Sequence, residues 1–593
     1  MFKMISDNSW RIRTFDTIPH LIILLIAVFS WTVQAESLIG RAITDFKMID
    51  FRGKEHELSD YKDQKIVIAY FLGTECPLAK LYGPKMQRLA DEFSSQDVAV
   101  VGISSNVQDS IVELAAYARK HELKFPILKD LKSKVAQQFG ATRTPQVFVL
   151  DQDRHIRYYG RIDAQYTFGA GVGLASPSEK RNDLKIAIEE IWAGKKVSVP
   201  VTEAVGCLIG KPKQPKHDAK VTYSNQVARL FQKNCVECHR EGQIAPFALT
   251  DYDEAAGWGE MIAEVVRDER MPPWHANPKH GTFSNDIRLS HQEKQLIFDW
   301  VDAGCPEGTP ADLPEPKKFN EGWFMEETPD RVIYMADKPV SIKAEGTENY
   351  RYYVIDPGFK EDKWIKTAEC MPGNKSVVHH IIVYIRSPEA KSSNIGHNEL
   401  LVGFAPGTRP LKNPKGWARR IPAGSKLIFE MHYTPIGSPQ KDRSALGLVF
   451  MDKEEVTHHA WTTNAINTRF KIPPRAENHK VVATKIFDQR VEMTSLFPHM
   501  HMRGKSFRYE LKYPDGKNEI LLDVPRYDFN WQNSFVFAKP KTIPKGTQMI
   551  CTAHYDNSEN NLANPDPTKT VRWGQQTWEE MLIGWHDVAV KLQ

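Results

Sequence analysis

Cysteine is scarce in this sequence, with 7 residues in 593, and an odd number remains after two are assigned to the motif described below. At least one thiol therefore stays unpaired within a monomer. The formal net charge is only +4 and no long basic run with interleaved aromatic residues occurs, which argues against a nucleic acid partner. No stretch beyond residue 33 is long and apolar enough for a membrane helix, so we expect no membrane span in the mature chain.

The N-terminus has the pattern of a secretory signal peptide. Basic residues at positions 3, 11 and 13 precede an apolar run from Leu21 to Val33, which a small-residue cleavage site follows. The run is shorter than the ~20 apolar residues that a spanning helix needs, and an uncleaved anchor is the alternative. We predict that residues 1–35 are removed on export and that the protein is periplasmic or secreted.

The run Cys235-Val236-Glu237-Cys238-His239 has the C-x-x-C-H spacing of covalent c-type haem attachment. Two thiols three positions apart lie on one face of a helical turn, so Cys235 and Cys238 can each bond a haem vinyl group. The next residue, His239, then presents a nitrogen to the iron. Half of a zinc site is the alternative, but tetrahedral zinc needs a second Cys/His pair and none is nearby. We therefore predict one covalently bound haem c.

Helical patterns flank this motif. Apolar residues at 227, 230 and 231 precede it, a second helix is predicted over 253–270, and a third begins at a capping box at 290–293. Two prolines end the second helix and present Met271, whose thioether is our predicted sixth iron ligand. The alternatives to it are Met261, His275 and His280. Residues 217–308 thus resemble the all-α class I cytochrome c modules that are fused to larger redox proteins.

The length predicts several domains, because domains average about 100 to 200 residues each. Residues 36–203 alternate strand and helix, which implies a parallel or mixed sheet covered on both faces. The predicted strands are Ile66–Leu72, Val98–Ser104 and Val147–Leu150, and the predicted helices are Leu78–Phe93, Ile111–His121 and Leu184–Trp192.

Cys76 lies just after the first of these strands, where a helix N-terminus lowers the pKa of a thiol and makes it more nucleophilic. Thr144-Pro145 matches the cis-proline that faces the active cysteine in thioredoxin-like redoxins, and this part of the chain resembles that group. Ala79 stands where a C-x-x-C motif has its second cysteine, and Thr74 is two positions before the thiol where peroxiredoxins have three. Cys207 is therefore the predicted resolving thiol, with a structural disulfide or a docking domain as alternatives.

Segments with several prolines, residues 204–216 and 309–328, are interpreted as the linkers into and out of the haem region. The pattern after them is all-β, with short alternating strands separated by turns. So many strands over this length predict two β-sandwiches in tandem, at residues 329–460 and 461–593. At most one disulfide, between Cys370 and Cys551, is available to the two sandwiches.

Histidines supply a second source of chemistry in this half. His499 and His501 lie two positions apart on a predicted strand, so both imidazoles face one side and can hold one metal ion. Met581 could add a soft thioether, and two histidines with one methionine favour copper that cycles through Cu(I).

His379 and His380 are adjacent, and neighbours on a regular strand point to opposite faces. A bulge or a strand end is therefore required for both imidazoles to meet one metal ion, with His432 as the third ligand.

Two adjacent histidines, a distant third, then H-x-H and a late methionine are the pattern of the type II copper, ascorbate-dependent monooxygenases. Residues 329–592 resemble that family, which includes peptidylglycine alpha-hydroxylating and dopamine beta-monooxygenases, although they have few cysteines. The resemblance implies an electron-supplying copper held by His379, His380 and His432. It implies an oxygen-binding copper held by His499, His501 and Met581. The rival ligands are His458, His459 and His554.

The resemblance implies hydroxylation, in which a substrate C–H bond, O2, two electrons and two protons give an alcohol and water. We expect the fused haem to supply the electrons that ascorbate supplies elsewhere in the family, because tethering gives it a high effective concentration. The expected partners are a small-molecule or peptide substrate, O2 and a periplasmic electron donor. The competing interpretations are a thiol peroxidase or disulfide oxidoreductase coupled to haem, and a non-catalytic copper and electron-transfer protein.

Overall fold

The computed structural model describes residues 38–169, 172–175, 181–211, 214–243, 245–319, 322–344, 348–390, 399–405, 408, 410–436, 438–561 and 563–592. These residues belong to the structural unit that begins at Ile39, and the predicted signal peptide over residues 1–35 lies outside them. Within the described ranges, no helix is both long enough and apolar enough to cross a lipid bilayer.

The first region is a mixed α/β sheet, and each predicted strand and helix boundary lies within one residue of the observed one. The sheet has the order β5-β4-β3-β7-β8, in which β7 and β8 run antiparallel to their neighbours. These elements are β1 (Lys47–Ile49), β2 (Glu55–Glu57), β3 (Ile66–Phe71), α1 (Pro77–Glu92), β4 (Val98–Ser104), α2 (Ile111–Lys120), β5 (Ile127–Lys129), α3 (Lys134–Phe139), β6 (Arg143–Thr144), β7 (Gln146–Leu150), β8 (Ile156–Gly160), β9 (Tyr166–Gly169), β10 (Val172–Ala175), α4 (Asp183–Trp192) and β11 (Cys207–Leu208).

The predicted linker over residues 204–216 is partly structured. Within it β11 pairs antiparallel with β6, and Cys207 lies opposite Thr144 in the register. The close approach requires Gly206, because a Cβ atom there would lie 2.1 Å from the carbonyl oxygen of Thr144. The segment therefore belongs to the α/β region.

Short helices follow, namely α5 (Ala228–Asn234), α6 (Tyr252–Gly257), α7 (Gly259–Arg267) and α8 (His291–Asp302). The single helix predicted over 253–270 is divided at Trp258, and the predicted capping box of α8 is present. The apolar faces of these helices join the core of the α/β region in one cluster. Trp274 and Phe283 lie instead in a core of the β-rich region, so residues 217–308 contribute to two cores.

The rest of the described chain is β-rich. Its strands are β12 (Arg331–Tyr334), β13 (Val340–Ile342), β14 (Arg351–Ile355), β15 (Lys363–Met371), β16 (Val378–Arg386), β17 (Glu399–Phe404), β18 (Leu411–Lys412), β19 (Trp417–Ile421), β20 (Lys426–Tyr433), β21 (Gln440–Asp442), β22 (Ala445–Met451), β23 (His458–Ile466), β24 (Lys471–Ile472), β25 (His479–Ile486), β26 (Val491–His499), β27 (Gly504–Lys512), β28 (Asn518–Val524), β29 (Phe535–Ile543), β30 (Gln548–Tyr555), β31 (Val571–Arg572) and β32 (Ile583–Lys591).

One nine-stranded sheet runs through both halves of this region, with the path β12-β22-β15-β19-β23-β32-β26-β29 and with β18 paired to β15 beside that path. It packs against the sheet β14-β20-β16-β17 to form one core and against the sheet β25-β30-β27-β28 to form another. The predicted division at 460/461 falls inside β23, which pairs with β19 of the first half and β32 of the second. Cys370 and Cys551 are free thiols in separate cores, so the disulfide that the sequence allows between them is not formed.

Candidate functional site

The two cysteines predicted for thiol chemistry lie together. Cys76 caps α1, where the buried thiol donates a 2.9 Å hydrogen bond to the carbonyl oxygen of Thr144. Cys207 is opposite Thr144 on β11, and the Thr144-Pro145 peptide bond is cis, as predicted. The Thr74 hydroxyl donates to the Asp109 carboxylate at 2.8 Å. The pairing of β6 with β11 thus brings Cys207, which is distant in the sequence, next to Cys76.

The pKa values of these two thiols are shifted in opposite directions. Burial raises the pKa of Cys76, but hydrogen bonds from the Cys207 thiol and from the amides of Ala79 and Cys207 outweigh burial and lower it to about 7. The hydrogen bond to Cys76, together with burial, raises the pKa of Cys207 well above its usual range. Cys76 is therefore the more readily ionised thiol of the pair, as a nucleophilic cysteine must be.

Replacing Cys207 with alanine is expected to raise the pKa of Cys76, because the substitution removes a hydrogen-bond donor and leaves the burial in place. The thiolate's ultraviolet absorbance, taken as a difference from Cys76→Ser, should titrate near pH 7 in the unaltered protein. Folding lowers this pKa from 9.0, so the group stabilises the fold increasingly as pH rises toward 9 and less as pH falls through 7. Cys370→Ala, a buried thiol in another core, is the control, and an unchanged midpoint in Cys207→Ala would contradict the assignment.

The predicted haem ligands line one cavity. Its volume is about 600 Å³, and its walls include Cys235, Cys238, His239 and Met271. Sites that hold cofactors have volumes of about 300 to 1,000 Å³. The wall also includes Cys207, so one thiol of the pair borders the same cavity. The cavity therefore fits a haem bonded through the two cysteines.

The ring of His239 is oriented by its neighbours. Its Nδ1 lies 3.1 Å from the carbonyl oxygen of Phe247, and the Phe247 ring stacks on Trp258 at 4.1 Å. With Nδ1 bonded to the backbone, Nε2 is the nitrogen left for a ligand. Burial lowers the pKa of His239 to about 4, so the imidazole is neutral, the form that binds metals. The alternatives Met261 and His275 line the same cavity as Met271.

His379, His380 and His432 form a buried cluster whose ligand nitrogens all lie within 4.8 Å of one another. The required bulge is present, because the register between β16 and β20 shifts between Val378 and His380. Tyr350 packs on two of the rings, 5.3 Å from His380 and 4.7 Å from His432. The bulge turns the His379 side chain to the face of the sheet on which the His380 side chain lies.

The nitrogens of this cluster fit a metal ion. His379 Nε2, His380 Nε2 and His432 Nδ1 are buried without a hydrogen-bond partner. Each unsatisfied buried polar group costs about 1–3 kcal/mol. Burial lowers the pKa of His379 to about 4 and lowers the pKa values of His380 and His432 well below their usual range, so all three are neutral. A bound cation would satisfy all three nitrogens at once.

The second histidine pair is oriented by hydrogen bonds. His499 and His501 have ring centroids 5.2 Å apart, His499 Nδ1 lies 2.7 Å from the Gln532 side chain, and His501 Nδ1 lies 3.2 Å from the Glu579 carbonyl oxygen. His501 Nε2 is buried without a partner. Such bonds fix which ring nitrogen is free for a metal.

Met581 is held beside this pair through its neighbour in the chain. The buried Glu580 carboxylate accepts the amide hydrogens of His501 at 2.9 Å and Arg503 at 2.7 Å. The Tyr555 hydroxyl donates to the Met581 carbonyl oxygen at 2.7 Å. The late methionine is thus brought to the H-x-H turn by contacts of the adjacent acidic residue.

Phe529 lies between the two histidine groups. Its ring stacks on His379 at a centroid distance of 5.2 Å and meets the edge of His501 at 5.9 Å. A cavity of about 500 Å³ opens beside both groups and has His380 and His499 in its wall. The two groups are therefore separated by a single side chain and share access to one cavity.

The rival histidines lie elsewhere. His458 stacks on Trp417 at 4.5 Å, His459 packs against Trp364 at 5.7 Å, and His554 Nδ1 lies 3.1 Å from the Ser506 hydroxyl. These three residues lie outside the three-histidine cluster, which contains the predicted adjacent pair.

Several residues at these sites were not predicted from the sequence. Glu580 had one local signal, because an acidic residue adjoins the predicted ligand Met581. Phe529, Gln532 and Tyr350 had none, because they reach the histidines through pairing of distant strands and loops.

Comparison with known proteins supports the class of the first region. Residues 39–159 match the AhpC/TSA family. Together with the α/β sheet and the cis-proline beside Cys76, this match defines a thioredoxin-like redoxin domain, followed by a large β-rich region.

Particular relatives are similar to part of the chain. The thiol-disulfide oxidoreductase ResA of Geobacillus thermodenitrificans is 27% identical over 144 residues, 23% of this chain and 81% of ResA. The thioredoxin-like protein YneN of Bacillus subtilis is 25% identical over 149 residues, 23% of this chain and 86% of YneN. The crystal structure of the hypothetical protein SMc02350 from Sinorhizobium meliloti has 25% identity and a TM-score of 0.26, covering 29% of this chain and 94% of that one.

Proposed function

We propose that the protein is a copper-dependent monooxygenase that hydroxylates a substrate C–H bond with O2 and receives electrons through a c-type haem. One observation carries the proposal: three buried neutral histidines with unpartnered nitrogens lie one side chain away from a second histidine pair. Imidazole nitrogens with a thioether suit copper, which would supply one-electron redox chemistry and O2 activation at these sites.

The residues around the proposed copper sites position the ligands and keep water away. Gln532 and the Glu579 carbonyl oxygen hold the rings of His499 and His501. Tyr350 and Phe529 cover the other cluster with aromatic surface. The adjoining cavity offers a place for a small-molecule or peptide substrate next to both sites. A substrate there would meet preoriented ligands in a largely apolar surrounding.

In this proposal Cys235 and Cys238 would bond the haem, and His239 and Met271 would hold its iron. The bound haem would supply a one-electron carrier between an external periplasmic donor and the copper sites. Haem attachment by this motif in bacteria takes place outside the cytoplasm, which agrees with the export that the N-terminal sequence predicts.

Metal analysis with isotope labelling tests this function. The full-length protein, supplied with Cu(II), is expected to hold two copper ions and one haem per chain. With ascorbate and a metabolite extract under 18O2, we expect one product that gains a single labelled oxygen atom. Absence of stoichiometric copper contradicts the proposal, and copper without reductant-dependent label incorporation indicates a non-catalytic carrier.

Thiol–disulfide exchange at Cys76 is a second function that a specific observation favours. The thiol with a pKa of about 7 lies against Cys207, a geometry in which attack on a substrate disulfide is followed by resolution within the chain. The relative ResA has the printed name thiol-disulfide oxidoreductase. Reduction of a model disulfide substrate should be lost in Cys76→Ser, should trap a mixed disulfide in Cys207→Ser, and should be retained in Cys370→Ser.

A further inference from the structure

The haem cavity and the histidine cavity share a wall. Several residues face both spaces, and they come from the segment after Met271, from the chain before β12, from β17 and its loop, and from the chain before β29. These shared residues are Ser284, Asn285, Phe324, Phe404, Thr408 and Ser534. An electron that leaves one cavity for the other has only this layer to cross.

The segment Arg526–Ser534, which we term the bridge segment, runs through that layer. At its start the Arg526 guanidinium pairs with the Glu269 carboxylate at 2.7 Å. At its end the Ser534 carbonyl oxygen accepts a 2.7 Å hydrogen bond from the side chain of Asn285. The bridge segment is therefore fastened at both ends to the chain that carries the predicted haem ligands.

Consecutive residues of the bridge segment face opposite cavities. Trp531 and Asn533 line the haem cavity, whereas Gln532 lines the histidine cavity. The Asn533 amide donates a 2.6 Å hydrogen bond to the carbonyl oxygen of Pro273, two residues after Met271. Gln532 makes the 2.7 Å contact with His499 Nδ1. Two hydrogen bonds and a short covalent stretch thus connect the predicted axial ligand of the haem with His499.

We propose that electrons pass from the haem to the His499–His501 centre through Pro273, Asn533 and Gln532, before they reach the cluster of His379, His380 and His432. This inference rests on the proposed function and reverses the order that the family resemblance implies, in which the three-histidine copper supplies the electron. Electron tunnelling is favoured along covalent and hydrogen bonds over gaps between atoms.

The contacts of the three-histidine cluster agree with this order. Nδ1 of His379 and Nδ1 of His380 are 3.4 Å from each other, and both Nε2 atoms are without a hydrogen-bond partner in the described structure. The bridge segment reaches this cluster through Phe529, which stacks on His379 and meets the edge of His501. The bridge segment thus reaches this cluster by a ring contact, whereas it reaches His499 by a hydrogen bond.

The electrons balance over two transfers. In each transfer one ferrous haem becomes ferric and one cupric ion becomes cuprous, and an external one-electron donor such as ascorbate reduces the haem again. The first electron reduces the His499–His501 centre and rests there until the second transfer, when it passes to the other cluster past Phe529 and the second electron reduces the vacated centre. Both centres are then reduced, and the two electrons needed for one hydroxylation are stored.

Rapid reduction of the oxidised holoprotein with ascorbate, without O2, tests the order. Freeze-quenched samples are examined for the Cu(II) electron paramagnetic resonance signals. Reduction of the haem by ascorbate and its re-oxidation by copper are followed optically. The signals are assigned from His499→Ala and His432→Ala, each lacking one site. We expect the signal that His499→Ala lacks to disappear first. Earlier loss of the signal that His432→Ala lacks would overturn the inference.

Variants of Asn533 test the route. Asn533→Asp keeps the shape of the side chain but cannot donate a hydrogen bond to Pro273, and Asn533→Leu removes the polar group. We expect both variants to lose the fast phase of haem oxidation. Both should retain the two Cu(II) signals. Asn277→Leu is the matched control, because Asn277 makes a comparable 2.9 Å contact to Asp523 elsewhere between the same two regions. An unaltered fast phase in Asn533→Asp overturns the route. A purified protein that lacks haem or lacks two copper ions overturns the proposed function. If haem and both copper ions are present but the two Cu(II) signals disappear in the opposite order, only this inference is overturned.

Discussion

Replacing His432 with alanine is expected to leave one copper ion per chain where the unaltered protein holds two. His432 is one of three buried imidazoles whose ligand nitrogens lie within 4.8 Å, and two ligands that remain on adjacent residues cannot enclose the ion. The haem content should stay unchanged, because His432 lies outside the wall of the haem cavity. Elemental analysis for copper and iron on the same sample measures both quantities.

His459→Ala is the matched control for this experiment. It also belongs to an adjacent histidine pair, but its ring packs against Trp364 and Trp461 outside the cluster. Copper should therefore remain at two ions per chain in His459→Ala. Loss of copper in that variant, or its full retention in His432→Ala, would show that the cluster is not the metal site.

The bulge at His379 and His380 is a feature of local geometry that could be predicted from the sequence. Adjacent side chains on a strand diverge, so a shared metal ion demands an irregularity, and the register shift at this point supplies it. The three strands and three helices predicted in the α/β region end within one residue of the observed bounds, because continuous apolar runs and amphipathic helices are local signals.

Features that depend on packing between distant segments were not predictable in the same way. The boundary placed at 460/461 falls inside β23, because a strand that joins two halves of one sheet has the same alternation as any other strand. Trp274 lies within the predicted haem region, yet its side chain packs into a core of the β-rich region. Gln532 and Phe529 reach the histidines across the fold, and nothing in their own neighbourhood indicates it.

Replacing Glu580 with leucine is expected to lower the free energy of unfolding by about 2–6 kcal/mol, because two buried amides lose their acceptor and each unsatisfied group costs about 1–3 kcal/mol. Both carboxylate oxygens of Glu580 accept backbone amide hydrogens, from His501 and Arg503, and the side chain is fully buried. Leucine leaves both buried amides without this acceptor. Urea unfolding, followed by tryptophan fluorescence, measures the loss.

The neighbouring substitution Glu579→Gln separates this effect from a general sensitivity of the loop. The Glu579 side chain is half-buried and accepts one hydrogen bond, from the amide of Gln576 at 3.0 Å, which glutamine can also accept. Its effect should stay within about 0.5 kcal/mol, as for most surface substitutions. Because Glu580 fixes the turn that carries His501 and stands next to Met581, Glu580→Leu should also lose copper from the H-x-H site while the three-histidine cluster keeps its ion. Equal copper loss from both sites would mean that the two sites form one cooperative unit, joined through Phe529.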